Sequence, residues 1–208
     1  MNEQSELLRL AKRVQALTEN GLHYTENDFD RDRYTELDEI SLKMLSLLTD
    51  TPLETIKVST PEKHGYRTAK VDVRCVIFND KDEILLVKEV VDSYWSLPGG
   101  WCDVGYTPTE VAEKEAFEEA GIKVKARRVL AIFDKKCHDH PEELYYTYKI
   151  FMDCIPENYE IATGMETLDV GFFKQGAYPE LSTPRNTTYQ IDKMFDFHYK
   201  RLDWPIVD

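Results

Sequence analysis

Residues Trp95–Ile122 read WSLPGGWCDVGYTPTEVAEKEAFEEAGI, and the middle of this stretch specifies one helix. Thr107 suits an N-cap, Pro108 the first helical position, and Glu110 closes a capping box three residues after the cap. Gly121 stands where a left-handed C-cap ends a helix. Val111, Ala112, Ala116 and Ala120 give the helix an apolar side. Glu115, Glu118 and Glu119 fall at i, i+3 and i+4, so their carboxylates are neighbours and repel one another. A hard divalent cation relieves that repulsion, because Mg²⁺ takes carboxylate oxygens, water and substrate phosphates. A solvated acidic face is the alternative reading of the same triplet. Leu97-Pro98-Gly99-Gly100, a loop that permits close backbone approach, leads into this acidic helix and favours the site.

The stretch resembles the Nudix box, G-x5-E-x7-R-E-U-x-E-E-x-G-U, with U bulky and apolar. Gly100 takes its first position, and Glu115 the glutamate after the arginine. Ala116 is the first U, Glu118 and Glu119 are the paired glutamates, and Gly121 and Ile122 close the box. Two positions depart, with Tyr106 in place of a glutamate and Lys114 in place of the arginine. A motif of this length in a strand–loop–helix context is specific. The resemblance implies an α+β fold, an α/β/α sandwich around a mixed sheet. It also implies Mg²⁺ or Mn²⁺ held by Glu115, Glu118, Glu119 and the Gly99 carbonyl, with Glu118 and Glu119 as the principal ligands and Glu115 as ligand or base. A further acidic residue is expected in the loop between the last two strands, where Glu160, Glu166 and Asp169 are candidates and Glu166 is the choice.

The chain has 208 residues, enough for one large or two small domains, and 42% of them are hydrophobic, enough for a core. A formal net charge of −13 supplies no basic field for nucleic acid or an anionic membrane. Cys75, Cys102, Cys137 and Cys154 form no CxxC pair and suggest reduced thiols. No apolar run is long enough to cross a membrane, and MNEQSELLRLAKRV lacks a signal core. A cytoplasmic protein is expected.

Ahead of the box, Leu7, Leu10, Ala11, Val14 and Leu17 predict a helix over 6–19 that Asn20-Gly21 stops. After the acidic loop YTENDFDRD, a second helix is predicted over 33–48, with Leu37, Ile40, Met44, Leu47 and Leu48 on one face. Such a hairpin is too small to bury a good core alone and must pack on the rest of the chain or on another subunit; a homodimer is expected, with packing on its own catalytic domain as the alternative. The chain is thus divided into a helical module over 1–58, a linker over 59–67 and a catalytic domain over 68–208. Tyr66 and Arg67 end the linker, and stacking and charge make them candidate nucleotide contacts, with an ordinary linker pair as the alternative. KVDVRCVIF over 70–78 and residues 84–89 read as a hairpin. On its first strand Asp72 and Arg74 share a face that either lines a pocket or meets water, and Arg74 is the third candidate substrate contact.

Beyond the box, strands are predicted over 123–133, 144–154 and 170–173, and a last helix over 187–201. His138-Asp139-His140 has no further ligand cluster around it and reads as a surface loop rather than a metal site. His198 reads as packed or capping.

The resemblance implies a pyrophosphohydrolase acting on a nucleoside diphosphate linked to a second moiety X. Some members carry a similar two-helix extension, and these resemble proteins described as ADP-ribose pyrophosphatases. ADP-ribose is therefore the first expected substrate. CDP-choline, nucleotide sugars and oxidised nucleoside triphosphates are the enzymatic alternatives. A nucleotide-binding sensor without turnover is the non-enzymatic one, and three intact glutamates argue against it.

Overall fold

The computed structural model describes residues 3–59 and 66–208, and the greater part of the expected linker falls outside them. The chain divides into two compact units: residues 1–69 with 142–144, and residues 70–141 with 145–208.

The first unit holds α1 (Glu3–Tyr24), α2 (Asp28–Thr49) and α3 (Leu53–Ser59). Leu8 and Ala11 of α1 bury against Leu42 and Leu45 of α2 and Ile56 of α3. Asn20-Gly21 does not end α1. A Cβ at Gly21 would lie 2.6 Å from the Tyr34 ring, so this glycine lets α2 come close rather than stopping a helix. The second helix starts before residue 33, because Asn27 in the acidic loop is its N-cap and accepts from the Asp30 amide. Leu10, Leu17, Leu37 and Ile40 remain exposed on this unit.

The second unit contains eight strands and two α-helices among the described residues. The strands are β1 (Lys70–Val76), β2 (Ile84–Glu89), β3 (Trp95–Ser96), β4 (Gly99–Trp101), β5 (Val124–Asp134), β6 (Thr147–Pro156), β7 (Thr167–Phe173) and β8 (Ile206–Val207). The helices are α4 (Pro108–Ala120) and α5 (Thr188–His198). One sheet has the order β4-β1-β6-β5-β8, mixing parallel and antiparallel pairs, and the other is β3-β2-β7, wholly antiparallel. Val73, Cys75, Ile77, Leu85 and Val87 pack under Val111, Ala112, Ala116 and Ala120 of α4. Val76, Ile84, Leu86, Phe133 and Phe151 pack against Ile191, Met194 and Phe195 of α5. This is an α+β unit with strands layered between helices, preceded by the helical module.

Local chemistry accounts for α4. Thr107 Oγ1 accepts from the Glu110 amide while the Glu110 carboxylate takes the Thr107 amide, and Gly121 at φ 65° ends the helix. His138-Asp139-His140 joins tertiary structure rather than water alone: His138 Nε2 lies 2.8 Å from the Asp208 carboxylate, and His140 bonds to Thr183 and Gln190. His198 is packed, stacked on Phe78 at 4.0 Å and bonded to Asp82.

Candidate active site

The site forms where β4 meets α4. Gly99 stands opposite Arg74, and Gly100 opposite Val73, in the antiparallel pairing with β1. At φ 149° Gly99 occupies a region open to glycine, and a Cβ there would lie 2.0 Å from the Val73 carbonyl oxygen. Its amide donates to Glu119 Oε2 at 2.8 Å. A Cβ on Gly100 would fall 3.2 Å from the Glu115 carboxyl carbon. Two successive glycines thus bring main chain against two of the three glutamates. The Glu118 side chain is more than half exposed, while Glu119 is buried. Lys114 Nζ joins the set, 3.1 Å from Glu115 Oε1 and 2.7 Å from Glu118 Oε2. These pairs raise the Lys114 pKa, the Glu118 hydrogen bond most.

Glu119 carries the electrostatic tension of the site. Burial pushes its carboxyl up to about 8, and Glu89 and Glu115 add to the rise; Arg74 and the Gly99 amide oppose it. Positive charge at this position is therefore in deficit.

Across β1 and β6 lies a buried ionic group that the sequence did not reveal. Arg74 forks onto Asp72, with Nη2 to Oδ1 at 2.8 Å and Nε to Oδ2 at 3.1 Å, and its Nη1 donates to the Leu97 carbonyl at 3.1 Å. Lys149 Nζ donates to the same carboxylate from β6. Burial alone would raise the Asp72 pKa, but Arg74 and Lys149 outweigh it and hold the carboxyl below its usual range. Burial takes Lys149 the other way, down to about 8. Asp72 and Arg74 are 3% and 5% exposed, so this strand face does not meet water. The Arg74 guanidinium is bonded within the protein to Asp72 and the Leu97 carbonyl. Asn186 Oδ1 accepts from the Leu97 amide at 2.9 Å, so Arg74 and Asn186 together hold the residue that leads into Pro98-Gly99. Glu89, also buried, accepts from Ser96 Oγ at 2.6 Å and pairs with Arg185 Nε at 2.9 Å. Two charges alternating along the otherwise apolar strand over 70–78 were the available signal for the Asp72–Arg74 pair.

Tyr66 and Arg67 are occupied within the first unit. Arg67 Nη1 pairs with Glu19 at 2.7 Å, its amide donates to Asn20 Oδ1, and Tyr66 stands edge-on to Tyr24 with centroids 6.1 Å apart. Glu166 is exposed in the turn before β7, and the loop that carries it is docked on α4. The Ala162 amide donates to the Ala120 carbonyl. Thr167 Oγ1 donates to the Glu119 carbonyl and accepts the Gly164 amide, both at 2.8 Å. The loop thereby satisfies carbonyls that the end of α4 leaves open.

Among the described residues, no three His, Cys, Asp or Glu side chains converge as a ready metal cluster. Lys114 lies between Glu115 and Glu118, and Glu119 turns to the Gly99 amide. The donors nevertheless fit a hard cation. All are oxygens, one ammonium already lies between two of them, and Arg74 compensates the buried carboxylate only in part.

A glycine-bearing edge strand is thus set against a helix that carries Glu115, Glu118 and Glu119. Residues 68–183 match the NUDIX domain, and residues 5–58 match the family described as UDP-X-like, N-terminal oligomerisation domain. The chain belongs to the Nudix hydrolase family. It is 39% identical over 194 residues to a protein named putative ADP-ribose pyrophosphatase YjhB from Bacillus subtilis, with 93% of each chain covered. A solved ADP-ribose pyrophosphatase from Streptococcus suis is 38% identical with a TM-score of 0.61, covering 68% of this chain and 100% of that one. A solved UDP-X diphosphatase is 31% identical with a TM-score of 0.62, and all of both chains is covered.

Proposed function

We propose that the protein is a Mg²⁺- or Mn²⁺-dependent pyrophosphohydrolase. Its substrate is a nucleoside diphosphate linked to X, with ADP-ribose first, and its products are a nucleoside monophosphate and phospho-X. The observation that carries this reading is the row Glu115, Glu118 and Glu119 along one helix, with Glu119 and Glu115 set against Gly99-Gly100. Glu118, Glu119, Glu115 and the Gly99 carbonyl would hold the cation, which neutralises phosphate charge and acidifies the attacking water when bound. The rest falls to the chain's own groups. The Gly99 amide fixes the Glu119 carboxylate, and Arg74 lends it positive charge from within the fold. Lys114 keeps Glu115 and Glu118 oriented toward one another. Glu166, carried by the loop docked on α4, is the fourth acidic participant in this proposal. With little covalent work to perform, catalysis here is mainly positioning and charge neutralisation.

A second reading is hydrolysis of a UDP- or CDP-linked compound, favoured by the UDP-X diphosphatase similarity across both units. A panel of ADP-ribose, UDP-glucose, CDP-choline and an oxidised nucleoside triphosphate, with phosphatase-coupled detection, separates these readings. Turnover should vanish in excess chelator and return with Mg²⁺ or Mn²⁺; full turnover in chelator would sink the mechanism.

The first unit is proposed to form a homodimer. It matches an oligomerisation domain, and Leu10, Leu17, Leu37 and Ile40 stand exposed on it. Light scattering that gives a monomer at micromolar concentration would end that proposal. The free state of all four cysteines suits a cytoplasmic setting. No described helix is long and apolar enough to cross a membrane.

A further inference from the structure

Asn186 stands directly before Thr187, the N-cap of α5. Asparagine is itself a good cap, but Thr187 and Gln190 close the capping box and leave the Asn186 side chain out of it. That side chain is fully buried. Its Oδ1 accepts from the Leu97 amide at 2.9 Å, and its Nδ2, buried as well, has no partner among the described residues. Turning the amide over would set a donor against the Leu97 N–H, so the bond fixes its orientation. A buried amide with half its hydrogen-bonding capacity unused costs stability. Holding Leu97 is the task its side-chain bond describes.

Leu97 lies two residues before Gly99, and the chain between them is stiff. Proline fixes φ at position 98 and confines Leu97 before it to extended backbone. A shift at Leu97 therefore passes to Gly99. Strand β1 holds this step on one side: Arg74 Nη1 donates to the Leu97 carbonyl at 3.1 Å and the Cys75 amide to the Pro98 carbonyl at 2.8 Å. Asn186 holds it on the other. The next link is the Gly99 amide, which donates to Glu119 Oε2 at 2.8 Å. The segment that carries Asn186 also grips the residues just ahead of Leu97. The Trp95 amide donates to the Glu180 carbonyl at 3.0 Å, and the Ser182 amide to the Trp95 carbonyl at 2.8 Å. Ser96 Oγ and Arg185 Nε meet on Glu89 Oε1, at 2.6 and 2.9 Å. Residues 180–186 thus seat Trp95, Ser96 and Leu97 in turn, and the Asn186 contact reaches farthest along the chain toward the glycines.

We propose that Asn186 is a positioning residue for the candidate site: acting through the Leu97 amide and the stiff Leu97-Pro98 step, it sets where the Gly99 amide meets Glu119. Its relevance to turnover rests on reading the α4 carboxylates as a diphosphate-cleaving centre. Asn186 itself touches none of the three glutamates and belongs to an element 89 residues away from Leu97 in the chain.

Amide hydrogen exchange on the metal-free full chain tests the coupling without relying on turnover. In wild type, the Leu97 and Gly99 amides should exchange through one opening, with protection equal to within about threefold. Asn186→Ala should speed exchange at both by about ten- to hundredfold. Thr187→Ala, which loosens the α5 cap without touching Leu97, should leave both within about threefold of wild type. Steady-state kinetics at saturating Mg²⁺ should show kcat about ten- to hundredfold lower in Asn186→Ala, with KM changed less than about threefold, and neither changed as much in Thr187→Ala. Unchanged Gly99 exchange in Asn186→Ala, an equal effect in Thr187→Ala, or faster Gly99 exchange with unchanged kcat overturns the proposal. Should Asn186→Ala not fold, the wild-type comparison decides: a shared opening of Leu97 and Gly99 supports the coupling, and independent exchange overturns it. Faster Gly99 exchange specific to Asn186→Ala, in a protein without turnover on any panel substrate, supports the positioning and refutes the proposed reaction instead.

Discussion

Replacing Thr167 by valine nearly preserves side-chain shape and removes a single oxygen. That oxygen makes two bonds at 2.8 Å, donating to the Glu119 carbonyl and accepting the Gly164 amide. Thr167 is buried, so water does not readily take over either partner. Two neutral hydrogen bonds contribute about 2 kcal/mol, and leaving their partners unsatisfied raises the cost to about 4 kcal/mol. For a unit of this size that lowers the melting temperature by roughly 5–15 °C. The same bonds tie the Glu166 loop to the helix of Glu115, Glu118 and Glu119. If the site works only with the loop docked, 2 kcal/mol of loosening lowers kcat by up to about thirtyfold. Denaturant unfolding and steady-state turnover at saturating Mg²⁺ measure the two effects. Thr167→Ser keeps the oxygen and should remain near wild type in rate. A valine variant with unchanged stability and rate would refute the reasoning. A serine variant as impaired as valine would assign the effect to the lost methyl rather than to the hydroxyl.

Three other changes probe separate parts of the account. Lys114→Ala, which frees Glu115 and Glu118, should lower kcat more than it raises KM, whereas Tyr106→Phe should cost about tenfold or less, since it loses at most one partly exposed hydrogen bond. Gly99→Ala meets the Val73 carbonyl and a strained φ together, and should lose at least about 2 kcal/mol of stability by thermal unfolding, along with most turnover. His140 is held neutral, with Nδ1–H donating to the Thr183 carbonyl at 2.6 Å and Nε2 accepting from Gln190 at 3.0 Å, and burial puts its pKa down to about 4. The unfolded chain, titrating near 6.5, binds more protons between those values, so stability is full above pH 6.5 and falls toward pH 4. The loss is about 1–2 kcal/mol after allowance for partial exposure, and His140→Gln should flatten that part of the pH–stability curve.

The features legible in the sequence were those with local causes. Thr107, Pro108, Glu110 and Gly121 bound α4 through contacts within a few residues, and the spacing of Glu115, Glu118 and Glu119 follows from helix geometry alone. Features set by distant partners were not legible. Gly21 looks like a helix stop until Tyr34 of α2 is packed against it. Arg67 is paired with Glu19 and Asn20 of α1, partners far from it in sequence. The sheet register brings Lys149 opposite Asp72 and buries the ionic group that holds Arg74, a pairing that no local pattern announces. The division of the strands into two sheets and the pairing of Ile206 and Val207 with β5 likewise depend on partners far along the chain.

The central claim is that the carboxylates of α4 are the chemical machinery, and Glu118→Gln tests it most directly. Glu118 is the most exposed of the three, and its bond to Lys114 lies on the surface, so the amide should leave the fold intact. With ADP-ribose and saturating Mg²⁺, or with whichever panel substrate wild type turns over, the rate should fall at least about a hundredfold, the equivalent of several kcal/mol of lost transition-state stabilisation. A folded Glu118→Gln variant with near wild-type turnover would contradict the account.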